Sequence, residues 1–140
     1  MQQNLTSKAQ PKDKLGRIDL HYAANDGNLL KAQELILSGA DVNHRDKKGW
    51  TPLHFAAQAQ NSKLVSLLLE SGAEVDALDS NGNTPLSGAV FNYRSDGSVI
   101  EILRSFGANP YCQNNYGQTP IGLARLIANY DVASYFSDLE

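Results

Sequence analysis

A nine-residue phrase recurs four times along the chain, and this repetition limits the possible folds more than any other feature of the sequence. The phrase reads GRIDLHYAA at residues 16–24, and its later copies are GWTPLHFAA, GNTPLSGAV and GQTPIGLAR. Their leading glycines are 33, 33 and 35 residues apart. A second phrase, LILSGADVN in its first copy, follows each of the first three. Two phrases that recur together near 33 residues predict a stack of small units, because one such unit cannot bury its apolar face alone.

The second copy illustrates how one unit is built from local rules. Thr51 is placed to cap a helix, and Pro52 then occupies the first helical position, where a missing N–H has little cost. We predict a short helix from residue 52 to about 59, and a second from about 62 to 70 whose leucines form a broad apolar face. Gly72 suits the left-handed conformation that ends a helix. Each unit is therefore a turn, a helix, a turn, a helix and a loop.

These phrases resemble the ankyrin repeat, and the second copy, DKKGWTPLHFAA followed by LVSLLLESGAEVDAL, matches it almost completely. The resemblance implies an all-α ankyrin-repeat solenoid of four helix-turn-helix repeats. The first copy has Ile18-Asp19 in place of Thr-Pro, and the last ends in the polar phrase VASYFSDLE, so both are expected to be atypical caps. We expect a flexible tail at residues 1–12 and one repeat domain at 13–140, with repeats at about 13–45, 46–78, 79–113 and 114–140.

Composition narrows the class of protein. The formal net charge of −3 gives no overall field that would attract nucleic acid or an anionic membrane. The first fourteen residues are polar and lack the apolar core of a secretory signal, and the apolar segment at 64–69 is too short to span a bilayer. Cys112 is the single cysteine, and we expect it to be a packed, unreactive thiol in a reducing compartment. The sequence therefore predicts a cytoplasmic protein that is monomeric when free.

The histidines raise the possibility of catalysis or metal binding. His54 recurs as His21, but Ser87 and Gly122 stand at the equivalent positions of the third and fourth repeats. In the ankyrin repeat such a histidine is structural, bonding backbone groups of the next turn, and we expect that role here. His44 has no ligand at a metal-binding spacing nearby. We predict no enzyme activity, no metal and no cofactor; the alternative is an enzyme or metal protein that uses all three histidines.

The resemblance also implies where a partner binds. In an ankyrin-like stack the turns project in a row, and we call the residues around each repeated glycine the turn tips. The first helices line the concave face beside them. The folding pattern does not fix the residues at these outward positions, so they carry the information about binding. The candidate partner-binding residues at these positions are Arg17, Arg45, Lys47, Lys48, Trp50, Gln58, Asn83, Phe91, Tyr93, Arg94, Tyr116 and Gln118.

Two features of this surface stand out. The first two tips are basic although the chain is acidic, and Trp50 is expected to project from its tip as an exposed anchor for a partner. Residues 90–99, VFNYRSDGSV, contain two extra residues between the helices of the third repeat. This insertion is either a tolerated extra length or an addition to the binding surface, and the sequence leaves both interpretations open.

The predicted function is binding to another protein, and a four-repeat chain without a catalytic domain acts by occupying that partner. The last repeat, GQTPIGLARLIANYDVASYF, is similar to the closing repeat of small bacterial ankyrin proteins that neutralise secreted toxins. That similarity implies an immunity protein whose basic tips meet an acidic surface on a toxin or enzyme. The alternative is a regulatory adaptor for a transcription factor or kinase. The phrase LILSGADVN also resembles a substrate of asparaginyl hydroxylation at Asn43, a motif that the ankyrin consensus itself contains.

Overall fold

The computed structural model describes residues 11–127 and 130–139, and for Tyr130 the backbone alone. Residues 1–10 of the expected tail lie outside this part of the chain. Within it, helices are the only regular secondary structure, which confirms the all-α class. The α-helices are α1 (Asp19–Asp26), α2 (Leu29–Leu37), α3 (Pro52–Gln58), α4 (Ser62–Glu70), α5 (Pro85–Phe91), α6 (Ser98–Ser105), α7 (Pro120–Leu126) and α8 (Tyr130–Ser134), and a 3-10 turn follows at Ser137–Leu139.

The first helix of each later pair begins as the repeated Thr-Pro predicts. The hydroxyls of Thr51, Thr84 and Thr119 accept hydrogen bonds from the backbone N–H three residues on, and a proline holds the first position of α3, α5 and α7. Helix α1 lacks that threonine. Helix α3 ends at Gln58, one residue earlier than predicted, and Gln60 then takes a positive φ of 59°.

The second helix of each of the first three pairs ends at the glycine that the sequence marks. Gly39, Gly72 and Gly107 have φ angles of 95°, 99° and 91°. The Cβ of any other residue would be strained in that conformation, so glycine here fixes the point at which the helix stops. Helix α4 runs from Ser62 to Glu70, as predicted.

The helix pairs stack into two rows. The first helices α1, α3, α5 and α7 pack side by side, and α2, α4 and α6 form the row behind them. Small residues such as Ala24, Ala56 and Ala89 are fully buried where the first helices meet, which lets their backbones approach closely. The larger core side chains, among them Leu64 and Leu68, are also fully buried. The structure confirms the stacked solenoid that the repeat predicts.

The turn tips are joined by backbone hydrogen bonds across three repeat junctions, which we number first, second and third in chain order. Within each tip, an acid or amide at the start of the turn holds it closed: Asp46 Oδ1 accepts from the N–H groups of Lys48 and Trp50 at 2.9 and 2.8 Å. Between tips, a single N–H donates to the carbonyl of the preceding tip. These bonds are Lys47 N to Leu15 O, Ser80 N to Lys48 O and Asn115 N to Asn81 O, each 2.9 Å long.

The inserted segment of the third repeat lies against the C-terminal cap. Helix α5 ends at Phe91 and α6 begins at Ser98, so the extra length forms the loop between them. The ring of Tyr93 lies 5.8 Å from the ring of Tyr135 in the last repeat. Tyr135 also covers Gly97 so closely that a Cβ at that position would overlap the ring. The insertion is therefore packed at both of these points.

Candidate binding groove

The two repeated histidines join neighbouring repeats through their ring nitrogens. His54 Nδ1 accepts from Thr51 N at 3.1 Å, and its Nε2 lies 3.1 Å from Asn83 O in the next turn. His21 repeats the arrangement, with Nδ1 accepting from Ile18 N at 3.1 Å and Nε2 at 2.9 Å from Trp50 O. Because Nδ1 accepts a backbone N–H, the proton belongs on Nε2, which donates to the carbonyl. The structural role expected for His54 is confirmed.

Burial holds both of these histidines neutral. The pKa of His54 is lowered by desolvation, although the bond to the Asn83 carbonyl acts in the opposite direction. The pKa of His21 is lowered for the same reason, against its bond to Trp50 O. With both ring nitrogens held by backbone groups, neither histidine has an atom free to bind a metal or move a proton. Throughout the described residues, no group of three or more His, Cys, Asp or Glu side chains is arranged to hold a metal ion.

An open groove of about 480 Å³ lies between the turn tips and the first helices of the second, third and fourth repeats. Residues of α3 and α5 form its floor, and Leu123 of α7 lies at one side. Half of the candidate partner-binding residues line this groove, although they are spread over 69 residues of sequence. They are Trp50, Gln58, Asn83, Phe91, Tyr116 and Gln118.

The groove combines exposed aromatic rings with amide groups. The side chains of Phe91 and Tyr116 are 71% and 81% exposed, which is unusual for rings of this size. Asn92 also lines the groove, as does Asn114, which was not among the predicted residues. Asn114 Nδ2 donates to Asn83 Oδ1 at 2.9 Å, so these amides are ordered by the fold itself. A surface of this kind offers rigid apolar anchors with hydrogen-bonding groups beside them.

Trp50 does not project from its tip as an isolated exposed anchor, and that expectation was wrong. The side chain is half-buried and packs against the core. Its ring centroid lies 4.9 Å from that of Phe55 and 5.6 Å from that of His54. The residue after the repeated glycine points over the first helix of its own repeat, so the indole finds neighbours there. Trp50 therefore forms one wall of the groove and also contributes to the packing beneath it.

The other predicted residues lie outside the groove. Arg17 bridges the first junction through Asp46, with Nε 3.1 Å from Oδ2. Tyr93 faces the C-terminal cap. The remaining predicted residues are exposed, either at the basic second tip or in the inserted loop, and they are Arg45, Lys47, Lys48 and Arg94.

Asp79 is a groove residue that sequence reasoning missed. It is 7% exposed and lines the groove beside Trp50 and Asn83. The period of the repeat places it at the same position as Asp13, Asp46 and Asn114, each of which closes a turn. The sequence shows that an acid or amide recurs at this position of each repeat. The same recurrence is expected of a residue whose role is to close the turn, so it does not identify Asp79 as a binding residue.

Two further candidates for chemistry are held in structural roles. Asn43 donates from Nδ2 to Gly72 O at 3.1 Å and accepts from Glu74 N at 2.8 Å, so its amide ties the first loop to the next. Cys112 is half-buried, and desolvation followed by the negative charge of Asp76 raises the pKa of its thiol. A raised pKa reduces the thiolate fraction and therefore the reactivity.

Comparison with known proteins agrees with the geometry. A family model described as ankyrin repeats, in three copies, matches residues 20–114. A comparison with curated proteins finds no match. In the part of the chain that the structure describes, no helix has both the length and the apolar character needed to cross a membrane.

Proposed function

The chain belongs to the ankyrin-repeat family of protein–protein interaction modules, and we propose that it binds a partner protein in the groove and inhibits it by occupying its working surface. The observation that carries this proposal is the convergence of six of the predicted binding residues, from three repeats, on one open groove. In this proposal the protein itself is not catalytic, and no cofactor takes part.

The groove supplies the anchoring contacts of the proposed interface. Exposed aromatic rings are the side chains that most often dominate binding energy, because they bury large areas with few rotamers to fix. Phe91 and Tyr116 line the groove and are largely exposed, and Asn83 and Gln118 line it with amide groups. Anchors surrounded by ordered hydrogen-bonding groups favour one partner over others.

The basic second tip supplies steering. Arg45, Lys47 and Lys48 are exposed beside the groove, in a chain whose formal net charge is −3. Such a local cluster attracts an acidic patch on a partner and raises the association rate more than the final affinity. The proposed partner is therefore a protein with an acidic surface near its docking site.

The most concrete form of this proposal is a cytoplasmic immunity protein that neutralises a cognate bacterial toxin. Its support is the similarity of residues 117–136 to the closing repeat of such proteins. Deletion of the gene is then lethal beside an active toxin gene and tolerated when that neighbour is also removed. Tolerance beside an active toxin would exclude the immunity role, and a transcription factor or kinase as partner would favour the regulatory adaptor instead.

The groove is tested by removing its exposed rings. Phe91→Ala and Tyr116→Ala should each weaken binding to the proposed partner, the toxin encoded by the neighbouring gene, by about 2 kcal/mol or more, because each ring is an interface anchor. Isothermal titration calorimetry measures the affinity, and a melting curve checks the fold. Leu37→Ala is the matched control, since Leu37 is 87% exposed in the row of second helices. If Leu37→Ala costs as much as the two groove variants, the interface lies elsewhere.

The steering role is tested by charge reversal. The double variant Lys47→Glu, Lys48→Glu should lower the association rate at low salt and change the dissociation rate little. Lys31→Glu, Lys63→Glu on α2 and α4 makes the same change in net charge away from the tips. Equal effects of both double variants in stopped-flow measurements would show that overall charge, rather than the second tip, guides association.

A further inference from the structure

The first repeat junction contains a complete receptor for a guanidinium group, filled by the chain's own arginine. Arg17 Nε lies 3.1 Å from Asp46 Oδ2, and the guanidinium carbon lies 4.9 Å from the centre of the Phe55 ring. The other oxygen of Asp46 is used to close its turn. A buried carboxylate with an aromatic wall is the environment that arginine prefers, because the charge is paired and the planar group stacks.

The second junction keeps the carboxylate of this receptor but lacks both the arginine and the phenylalanine ring, since Gly88 stands where the first junction has Phe55. Asp79 takes the place of Asp46 and is equally buried, with each 7% exposed. Its Oδ1 accepts from Asn81 N and Asn83 N at 2.8 and 2.9 Å, as Asp46 does in its own turn. Trp50 stands where the first junction has Arg17, so an aromatic ring replaces the internal cation. Among the described residues, no group donates a hydrogen bond to Asp79 Oδ2, and no cation forms an ion pair with it.

The third junction has lost the carboxylate as well. Asn114 stands at this position, and its Nδ2 donates to Asn83 Oδ1 at 2.9 Å, so the two amides satisfy each other. The second junction is thus the one of the three that keeps the acid and lacks its donor. Burying a carboxylate has an energetic cost, and a donor to Oδ2 from outside the chain would offset part of the cost for Asp79.

This oxygen belongs to a residue that lines the groove. Asp79 is the one charged side chain among the groove-lining residues, which also include Trp50 and Asn83. The guanidinium of Arg45 lies beside Gly49, as does the backbone of Asp79, but Arg45 makes no ion pair with Asp79 in the described structure. His54 Nε2 is already used by Asn83 O.

We propose that Asp79 and Trp50 form a receptor for a single basic side chain, an arginine, which the partner protein projects into the groove. Asp79 Oδ2 accepts the guanidinium, as Asp46 Oδ2 does for Arg17, and the indole of Trp50 supplies the face on which the guanidinium stacks, in the role that Phe55 has at the first junction. This inference rests on the proposed function, because it names what the partner inserts. The basic second tip then meets acidic residues around that arginine.

The test uses two small probes that differ in charge alone. Acetyl-arginine amide and acetyl-citrulline amide have nearly the same shape, but citrulline is neutral. Trp50 is the single tryptophan, so its fluorescence reports on this site directly. We expect a saturable change with the arginine probe and binding roughly tenfold weaker with the citrulline probe. Equal responses to the two probes, or no saturable response to arginine, would overturn the inference, and this comparison needs no variant.

Variants locate the effect. Asp79→Asn should weaken arginine binding by roughly tenfold, whereas Asp41→Asn, which removes one acidic charge from an exposed loop, should leave it unchanged. Arg45→Ala should maintain or strengthen binding, because it removes a competing cation. Weaker binding in Arg45→Ala, or unchanged binding in a folded Asp79→Asn, would contradict the assignment to Asp79.

The two proposals fail in different ways. If the neighbouring gene product binds through Phe91 and Tyr116 while the arginine probe does not bind, the groove is the interface and the arginine receptor is wrong. If the probe binds but the partner docks away from the groove, the proposed function is wrong, and the receptor stands without the occupant that we assign to it.

Discussion

The first two repeat junctions and the third are joined by different chemistry. At the first and second, a buried histidine of one repeat donates to a backbone carbonyl of the next, at Trp50 and at Asn83. At the third, Ser87 replaces the histidine, and asparagine side chains make the connections instead. The first two junctions therefore depend on the protonation state of imidazole, whereas the amides of the third do not titrate.

The two regions also differ in how the end of the stack is closed. The N-terminal repeat relies on its pairing with the second through Arg17 and Asp46. The C-terminal repeat reaches back over the preceding one, where Tyr135 covers Gly97 and Arg104 donates to the Asp138 carboxylate at 2.8 Å. A single repeat pattern can thus accommodate two kinds of junction, provided that the backbone bonds between tips are kept.

The largest expected loss of stability comes from creating a cavity in the core of the second or the third repeat. Leu68 and Leu103 are equivalent core residues, and both are fully buried. Changing either to alanine should lower the free energy of unfolding by about 2–5 kcal/mol, through lost contacts and the cavity left behind. Urea denaturation followed by circular dichroism measures the loss. A single shared transition in both variants indicates that the two regions unfold together, whereas two transitions would show that the difference in junctions separates them.

The second prediction concerns the contact between Gly97 and Tyr135, which closes the C-terminal end of the stack. Gly97→Ala places a methyl group where the Tyr135 ring lies, and overpacking of this kind should cost about 1–3 kcal/mol of stability. The same change in a Tyr135→Ala background should cost much less, because the ring is gone. A double-mutant cycle from thermal or urea unfolding gives the coupling between the two positions. Equal costs in both backgrounds would mean that the insertion does not depend on the cap.

The smallest effect is a pH dependence confined to the histidine junctions. Because burial lowers the pKa of His21 and His54 in the folded state, the unfolded chain binds more protons below its own value of about 6.5. The contribution of these two histidines to the free energy of unfolding is therefore fully present above pH 6.5, and it is lost progressively as the pH falls towards 5. Each histidine contributes at most about 1.4 kcal/mol per pH unit.

The matched variant for this prediction copies the third repeat. His54→Ser introduces the residue that stands at position 87, and it should flatten the pH dependence of the unfolding free energy between pH 7 and 5. An unchanged slope would show that other groups cause the acid sensitivity. At neutral pH the same variant should lose about 1–3 kcal/mol, since Thr51 N and Asn83 O lose their partner.

Most of the fold could be read from the sequence, because its information is local and repeated. The Thr-Pro caps, the glycines that end the second helices and the leucine faces each follow from short-range rules, and the period then fixes how the units stack. The same register predicts that Phe91, Tyr116 and four more residues share one face, and the structure has these six lining one groove. The structural role of His54 also followed, because its recurrence argued against a unique site.

The parts that sequence reasoning missed depend on contacts between repeats. Trp50 was treated as an isolated tip residue, although its ring rests on Phe55 and His54 of the same repeat. Asp79 looked like any turn residue, because the sequence does not reveal that its counterpart Asp46 pairs with Arg17. The contact of Tyr135 with Gly97 spans an insertion that breaks the period, so no register could predict it.

The bonds that run from tip to tip have a consequence for binding. Because Lys47 N, Ser80 N and Asn115 N each hold the tip before them, no tip can shift without stretching a hydrogen bond to its neighbour. The backbone of the tips beside the groove is therefore held in place by the chain itself. If a partner binds in the groove, as we propose, little backbone entropy of these tips is lost on association, so more of the contact energy remains as affinity.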